Sequence, residues 1–241
     1  MKFCWLVTVL FVSSFVASTL PAQTALLTHS KRPREHAGRN KLASATPKLR
    51  IVIYDFAHVD RSLVRNAMEV ATDILKQSGI VTEWFDCGTS RDCNLRSEVV
   101  EFRLVIQPQV ADLVKDRWQA IDLAETHTLG FAIPCNTEDM ACLFYIFYSP
   151  ISSLASQFGA GTGCVLGHVM VHEIGHALLG PDAHSRGGIM QPKFSIQATD
   201  RFLYFSDRES KIARDQLSMR NELVKNRLAE EYSIIVANSN H

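Results

Sequence analysis

Apolar side chains recur along this chain in changing rhythms, and each change marks an element. Leu63, Val64, Ala67, Val70, Ala71, Ile74 and Leu75 fall at helical spacing behind Asp60, a good N-cap, and Gly79 stops the run. That pattern predicts an amphipathic helix with one face on a sheet. Residues 50–57, 80–86 and 99–106 are short, mostly apolar and rich in β-formers, so they read as strands. A strand–helix–strand opening implies a right-handed crossover and parallel pairing. Residues 129–133 give a short strand, and 142–148, aromatic and β-branched, a stronger one. Between them, 112–124 fits either a short helix or a decorated loop. Residues 151–156 begin a helix, 158–163 form a Gly-rich loop, and the apolar run from Cys164 to Val171 is helix-compatible. Gly180 and Pro181 then stop that helix, with Gly180 available for the left-handed C′ position. Ser206-Asp207-Arg208-Glu209 is a capping box. It opens a helix with Ile212, Leu217, Leu223, Val224 and Leu228 as its apolar positions, and its many charges read as a solvated face.

The ends follow a different logic. Lys2 precedes an apolar core from Phe3 to Val16, and Leu20-Pro21-Ala22 is a plausible cleavage site. Residues 1–22 therefore read as a secretory signal peptide, because the apolar run is shorter than the ~20 residues of a membrane span. Residues 23–48 look like a flexible lead-in with a basic run at Lys31-Arg32-Pro33-Arg34. One folded domain spans 49–232, and 233–241 is a short tail. The expected location is secreted, extracellular or periplasmic. The cysteines fit an oxidising compartment. Cys87 and Cys93 flank a short loop and are the first disulfide candidates; Cys135 and Cys142 could form a second, which would leave Cys164 over.

The chemistry is concentrated in 171–190. His172 and His176 are four residues apart, so on a helix they share one face, about 6 Å apart along the axis. Two imidazoles so placed can converge on one tetrahedral Zn²⁺. Glu173 stands beside the first ligand, where a carboxylate can take a proton from a metal-activated water. A catalytic zinc needs three protein ligands and one open position. The third is expected to be His184, since imidazole is the commonest zinc ligand, with Asp182 as the alternative. His168 lies four residues before His172, but it is about 12 Å from His176 along the axis, too far to share an ion. It reads as a structural residue.

These residues resemble the metzincin metallopeptidases, whose pattern is His-Glu-x-x-His-x-x-Gly-x-x-His followed by a methionine turn. The resemblance covers 172–190, with a local departure. Here the glycine comes four residues after His176 rather than three, and His184 eight after rather than six, which puts Asp182 in the usual register of the third ligand. Met190, in Gly188-Ile189-Met190, resembles the methionine of that turn. The fold it implies is α+β: a zincin domain with a mixed twisted sheet packed on helices, an active-site helix carrying the histidines, and a C-terminal helix. It also implies that 129–133 is an edge strand that pairs with substrate backbone. The lead-in contains no cysteine and no aspartate, the residues some relatives use to plug the zinc, so no such latency switch is expected.

Charge narrows the partners. Twenty-five basic and 25 acidic side chains give a formal net charge of +0, so nothing global favours nucleic acid. The expected activity is zinc-dependent endopeptidase with one catalytic ion, a peptide or protein substrate, and no stable membrane association once the signal is removed. Two other readings stay open: a zinc-binding protein without catalysis, and a zinc hydrolase acting on a non-peptide amide.

Overall fold

The architecture comes from a computed structural model that describes residues 46–90, 93, 97–109, 128–192 and 203–239. The expected signal peptide, nearly all of the lead-in and segment 112–124 lie outside the described residues.

The first strand, β1 (Lys48–Asp55), ends two residues earlier than its composition implies. The Asp55 carboxylate accepts the backbone N–H of Ala57 at 3.0 Å and of Val59 at 2.8 Å, which folds the chain into a turn. Helix α1 (Arg61–Gln77) then starts as predicted, with the Asp60 side chain accepting the N–H of Ser62 at 2.7 Å. Strand β2 (Val81–Asp86) returns parallel to β1, and β3 (Glu101–Gln107) lies parallel on the other side of β1. Strand β5 (Ala141–Phe147) adds parallel to β3, and β4 (Gly130–Ala132) closes the sheet antiparallel to β5. The order is β2-β1-β3-β5-β4, a mixed and mostly parallel sheet with β4 at one edge.

Helix α2 (Tyr148–Phe158) begins three residues before 151, and Pro150 is tolerated in its first turn, where N–H groups have no intrahelical partner. The expected loop at 158–163 is only a short joint, since α3 already begins at Thr162 and runs to Leu179. Gly163 belongs to α3 and faces α1: a Cβ there would lie 2.9 Å from the Leu63 carbonyl oxygen, and one on Gly167 would lie 2.6 Å from that of Ala67. These two residues let the helices approach closely. Helix α3 is buried on nearly all sides, between α1, the sheet and the last helix.

That last helix, α4 (Asp207–Ser239), opens on the predicted box: Ser206 N–H donates to Glu209 Oε2 at 2.7 Å and Glu209 N–H to Ser206 Oγ at 3.3 Å. It runs past Ser233, where a tail was expected, to Ser239. Its inward face also differs from the expected one. Leu217 and Val224 are buried, but Ile212 and Leu223 are exposed. Ala213, Arg220 and Asn221 take the core-facing positions instead. Asn221 accepts the N–H of Val100 at 2.9 Å and donates to the Lys48 carbonyl at 2.8 Å. Arg220 donates to the carbonyls of Asn136 at 2.7 Å, Cys135 at 3.1 Å and Ala177 at 3.2 Å. The charge pattern placed Arg220 on a solvated face; hydrogen bonds to the backbone are what admit it and Asn221 to the interior.

Disulfides join Cys87 to Cys93 and Cys135 to Cys142. Cys164, expected to be left over, is not free. Among the described residues, no helix is long and apolar enough to cross a membrane.

Candidate metal centre

Helix α3 presents His172 and His176 on one face, as their spacing requires. Their Nε2 atoms lie 3.1 Å apart. Each ring spends its other nitrogen on a backbone carbonyl: His172 Nδ1 donates to Ile189 at 2.8 Å and His176 Nδ1 to Gly180 at 3.4 Å. A carbonyl can only accept, so the protons sit on Nδ1 and both Nε2 lone pairs face the same point. Two facing lone pairs repel unless a cation lies between them.

His184 joins them from the loop after the helix. Its ring centroid is 5.6 Å from that of His172 and 4.8 Å from that of His176. Ligand atoms of all three histidines lie within 4.8 Å of one another. Asp182 is exposed and stands outside this group. The path of the loop accounts for these two positions. Gly180 adopts φ 112° and ψ 158°, a region open essentially to glycine alone, rather than the left-handed cap expected from sequence. That turn sends its carbonyl back to His176. The Ala183 N–H then bonds the Gly180 carbonyl at 3.2 Å, and the His184 N–H bonds that of Asp182 at 2.7 Å, which brings His184 round to the helix.

The donor set suits zinc. With Zn–N near 2.0–2.1 Å, tetrahedral ligands stand about 3.3 Å apart, close to the observed Nε2 separation. Nδ1–H bonds to carbonyls are the usual way of fixing the tautomer and orientation of a ligating histidine. Burial lowers the His172 pKa to about 4, and the neighbouring imidazoles push the same way; burial also lowers that of His176. Both rings are therefore neutral at physiological pH, the form a metal requires.

Glu173 is buried between α3 and the edge strand, and burial raises its pKa to about 8. Met190 is fully buried and packs under the helix against Gly175, where a Cβ would collide with its sulfur. The loop holding it is closed by the Ser185 N–H to the Met190 carbonyl at 2.9 Å and the Ile189 N–H to that of Tyr204 at 3.0 Å. His168 stands apart as expected. Its Nδ1 donates to the Cys164 carbonyl at 2.8 Å, and its Nε2 accepts the Leu203 N–H at 3.2 Å.

Strand β4 borders the centre. The N–H of Phe147 bonds the Leu129 carbonyl, and the N–H of Ile133 bonds that of Leu143. Bonded positions alternate in an antiparallel pair, so Gly130 and Ala132 aim their N–H and C=O away from β5, toward the edge. Sequence reasoning missed three parts of this arrangement: the Ile189 carbonyl, the contact of Gly130 with Glu173, and the Arg220 link from α4 to the last turn of α3. A backbone carbonyl carries no side-chain signal, and the other two depend on long-range packing.

No protein-family model matches this chain, and no curated protein sequence does either. Among solved structures it is similar to a zinc-dependent peptidase from Methanocorpusculum labreanum, with 12% identity, a TM-score of 0.46, and 68% of this chain and 99% of that one covered. Metalloproteinase-II from Bacteroides fragilis gives 13% identity and a TM-score of 0.45 over 72% of this chain and 54% of that one. Archaemetzincin from Methanopyrus kandleri gives 10% identity and a TM-score of 0.45 over 70% and 96%. At such scores the reading of the centre rests on its own residues.

Proposed function

We propose that this chain is a secreted zinc-dependent endopeptidase of metzincin-like fold, with His172, His176 and His184 holding a single catalytic ion. The observation that carries the reading is the convergence of three imidazoles beside a buried glutamate, next to a sheet edge that is open among the described residues. Zinc bound there supplies Lewis-acid activation of a water and of the scissile carbonyl.

The chain's own residues do the rest. Glu173 accepts the proton of the attacking water and delivers it to the leaving amine. Burial raises its proton affinity, which suits a group that must take and then release a proton near neutral pH. The outward N–H and C=O groups of Gly130 and Ala132 bind an extended substrate as an added strand, so backbone bonds give affinity with little dependence on side chain. Met190 supports the helix from below. Asp182 stands outside the histidine group, so an ion held there by His172, His176 and His184 would have three protein ligands, the number a catalytic zinc uses. The signal-peptide pattern read in residues 1–22 and the disulfides support secretion. A peptide or protein is the proposed partner, without nucleic acid or stable membrane association.

The test is hydrolysis of a mixed peptide library by the zinc-loaded protein, repeated after chelation and after zinc is restored. The expected result is internal cleavage that is lost and then recovered. Intact peptides throughout, with zinc bound, would contradict the reading.

A further inference from the structure

Glu173 has a neighbour whose importance lies in what it lacks. A Cβ built on Gly130 would stand 3.1 Å from both Cγ and Oε1 of Glu173. The backbone does not ask for glycine here, since Gly130 is not among the residues with positive φ. A glycine inside a strand also weakens it, through lost backbone entropy and the absence of a side chain to pack. The next residue on the same face of β4 is Ala132, again small. Space is the remaining account of Gly130, and two groups fill that space: the Tyr145 carbonyl oxygen and the Glu173 side chain.

We propose that Gly130 is a positioning residue for the general base: the side chain missing from this edge-strand position is the room that the Glu173 carboxylate occupies. The inference rests on the peptidase reading and deepens it. Gly130 turns its N–H and C=O toward the edge, which is open among the described residues, while the place its Cβ would take lies against Glu173. One residue thus touches both the backbone of an arriving substrate strand and the base that serves it. A methyl group at this position pushes the carboxylate off its line to the attacked carbonyl, while the backbone groups that bind substrate stay in place.

Such a methyl would also lie 2.9 Å from the Tyr145 carbonyl oxygen. A simple loss of stability therefore proves nothing, and the test must isolate the contact with Glu173. The full chain, zinc-loaded, is compared as wild type, Gly130→Ala, Glu173→Ala and the double variant. Thermal unfolding and bound zinc are measured for all four, and kcat and KM on a peptide for the first two. Expected are a fall in kcat of at least tenfold for Gly130→Ala, with KM within twofold and zinc stoichiometric, and a drop in Tm that shrinks by at least half when Glu173 is already alanine. If Gly130→Ala fails to fold alone, folding of the double variant is the expected rescue. Equal losses of Tm in both backgrounds, failure of both variants to fold, or an unchanged kcat would overturn the proposal. Non-additive melting in a protein whose wild type hydrolyses no peptide would overturn the peptidase reading, and with it the catalytic meaning of Gly130, while leaving the contact itself established.

Discussion

His172 Nδ1 donates to the carbonyl of Ile189 at 2.8 Å, so the first of the three clustered histidines is held by the residue immediately before Met190. The bond fixes the ring's tautomer and ties two parts of the centre that are seventeen residues apart in sequence. It also locates the methionine, which packs against Gly175 one turn further along.

The Gly175–Met190 contact gives a prediction whose sign opposes helix propensity. On an open helix surface, Gly→Ala is stabilising by about 1 kcal/mol. At Gly175 the added methyl collides with the Met190 sulfur and crowds Phe205. Gly175→Ala should therefore destabilise the fold by about 1–3 kcal/mol, as overpacking does. Urea unfolding measures it, and a gain in stability would contradict the packing of Met190 under the helix.

The third ligand can be read from metal affinity. His184→Ala should weaken zinc binding far more than Asp182→Ala, because only His184 brings a ligand atom to the other two histidines. Competition against a chromogenic chelator ranks the two variants. The reverse order would give the role to Asp182.

Arg220 should matter more than its distance from the histidines implies. It joins the Cys135–Cys142 loop to the last turn of α3 through three carbonyls. Arg220→Met leaves those acceptors without their charged donor, and the loss should reach at least about 3 kcal/mol. A change under about 1 kcal/mol in denaturant unfolding would mean that water replaces the guanidinium without cost.

In the metal-free protein, Glu173 links stability to pH. Its folded pKa of about 8 lies above the ordinary value of 4.5, so the folded state holds the proton more tightly. The stability this contributes is fully present below about pH 4.5 and is lost as pH rises through 8. His172 acts oppositely: its folded value of about 4 lies below 6.5, so its contribution falls as pH drops through that window. The difference between wild type and Glu173→Gln, melted metal-free across pH 4.5–8.5, isolates the glutamate. Glu173→Gln should be the less pH-sensitive on the alkaline side, and parallel curves would show that the carboxylate is solvated.

Much of this molecule was legible in its sequence. Periodicity placed α1 and its buried face, the Asp60 cap and the Ser206–Glu209 box, since these features are local. The four-residue spacing of His172 and His176 set their common face before any fold was known. Other features needed the third dimension. The face of α4 could not be read from hydrophobicity because Arg220 and Asn221 are buried by bonds to carbonyls far away in sequence. The turn that carries His184 to the helix depends on the unusual backbone of Gly180, and sequence suggested a different cap there. Gly130 reads as a weak strand position until Glu173 is seen against it.

The central claim is that this centre hydrolyses peptide bonds with Glu173 as base. The most direct measurement exposes a denatured proteome to the zinc-loaded protein, from about residue 23 onward, beside Glu173→Gln carrying the same zinc, and maps new N-termini by mass spectrometry. The account predicts internal cleavages with the wild type alone, sharing a preference around the scissile bond. Equal sets of termini from the two proteins, or none from either with zinc bound, would contradict it.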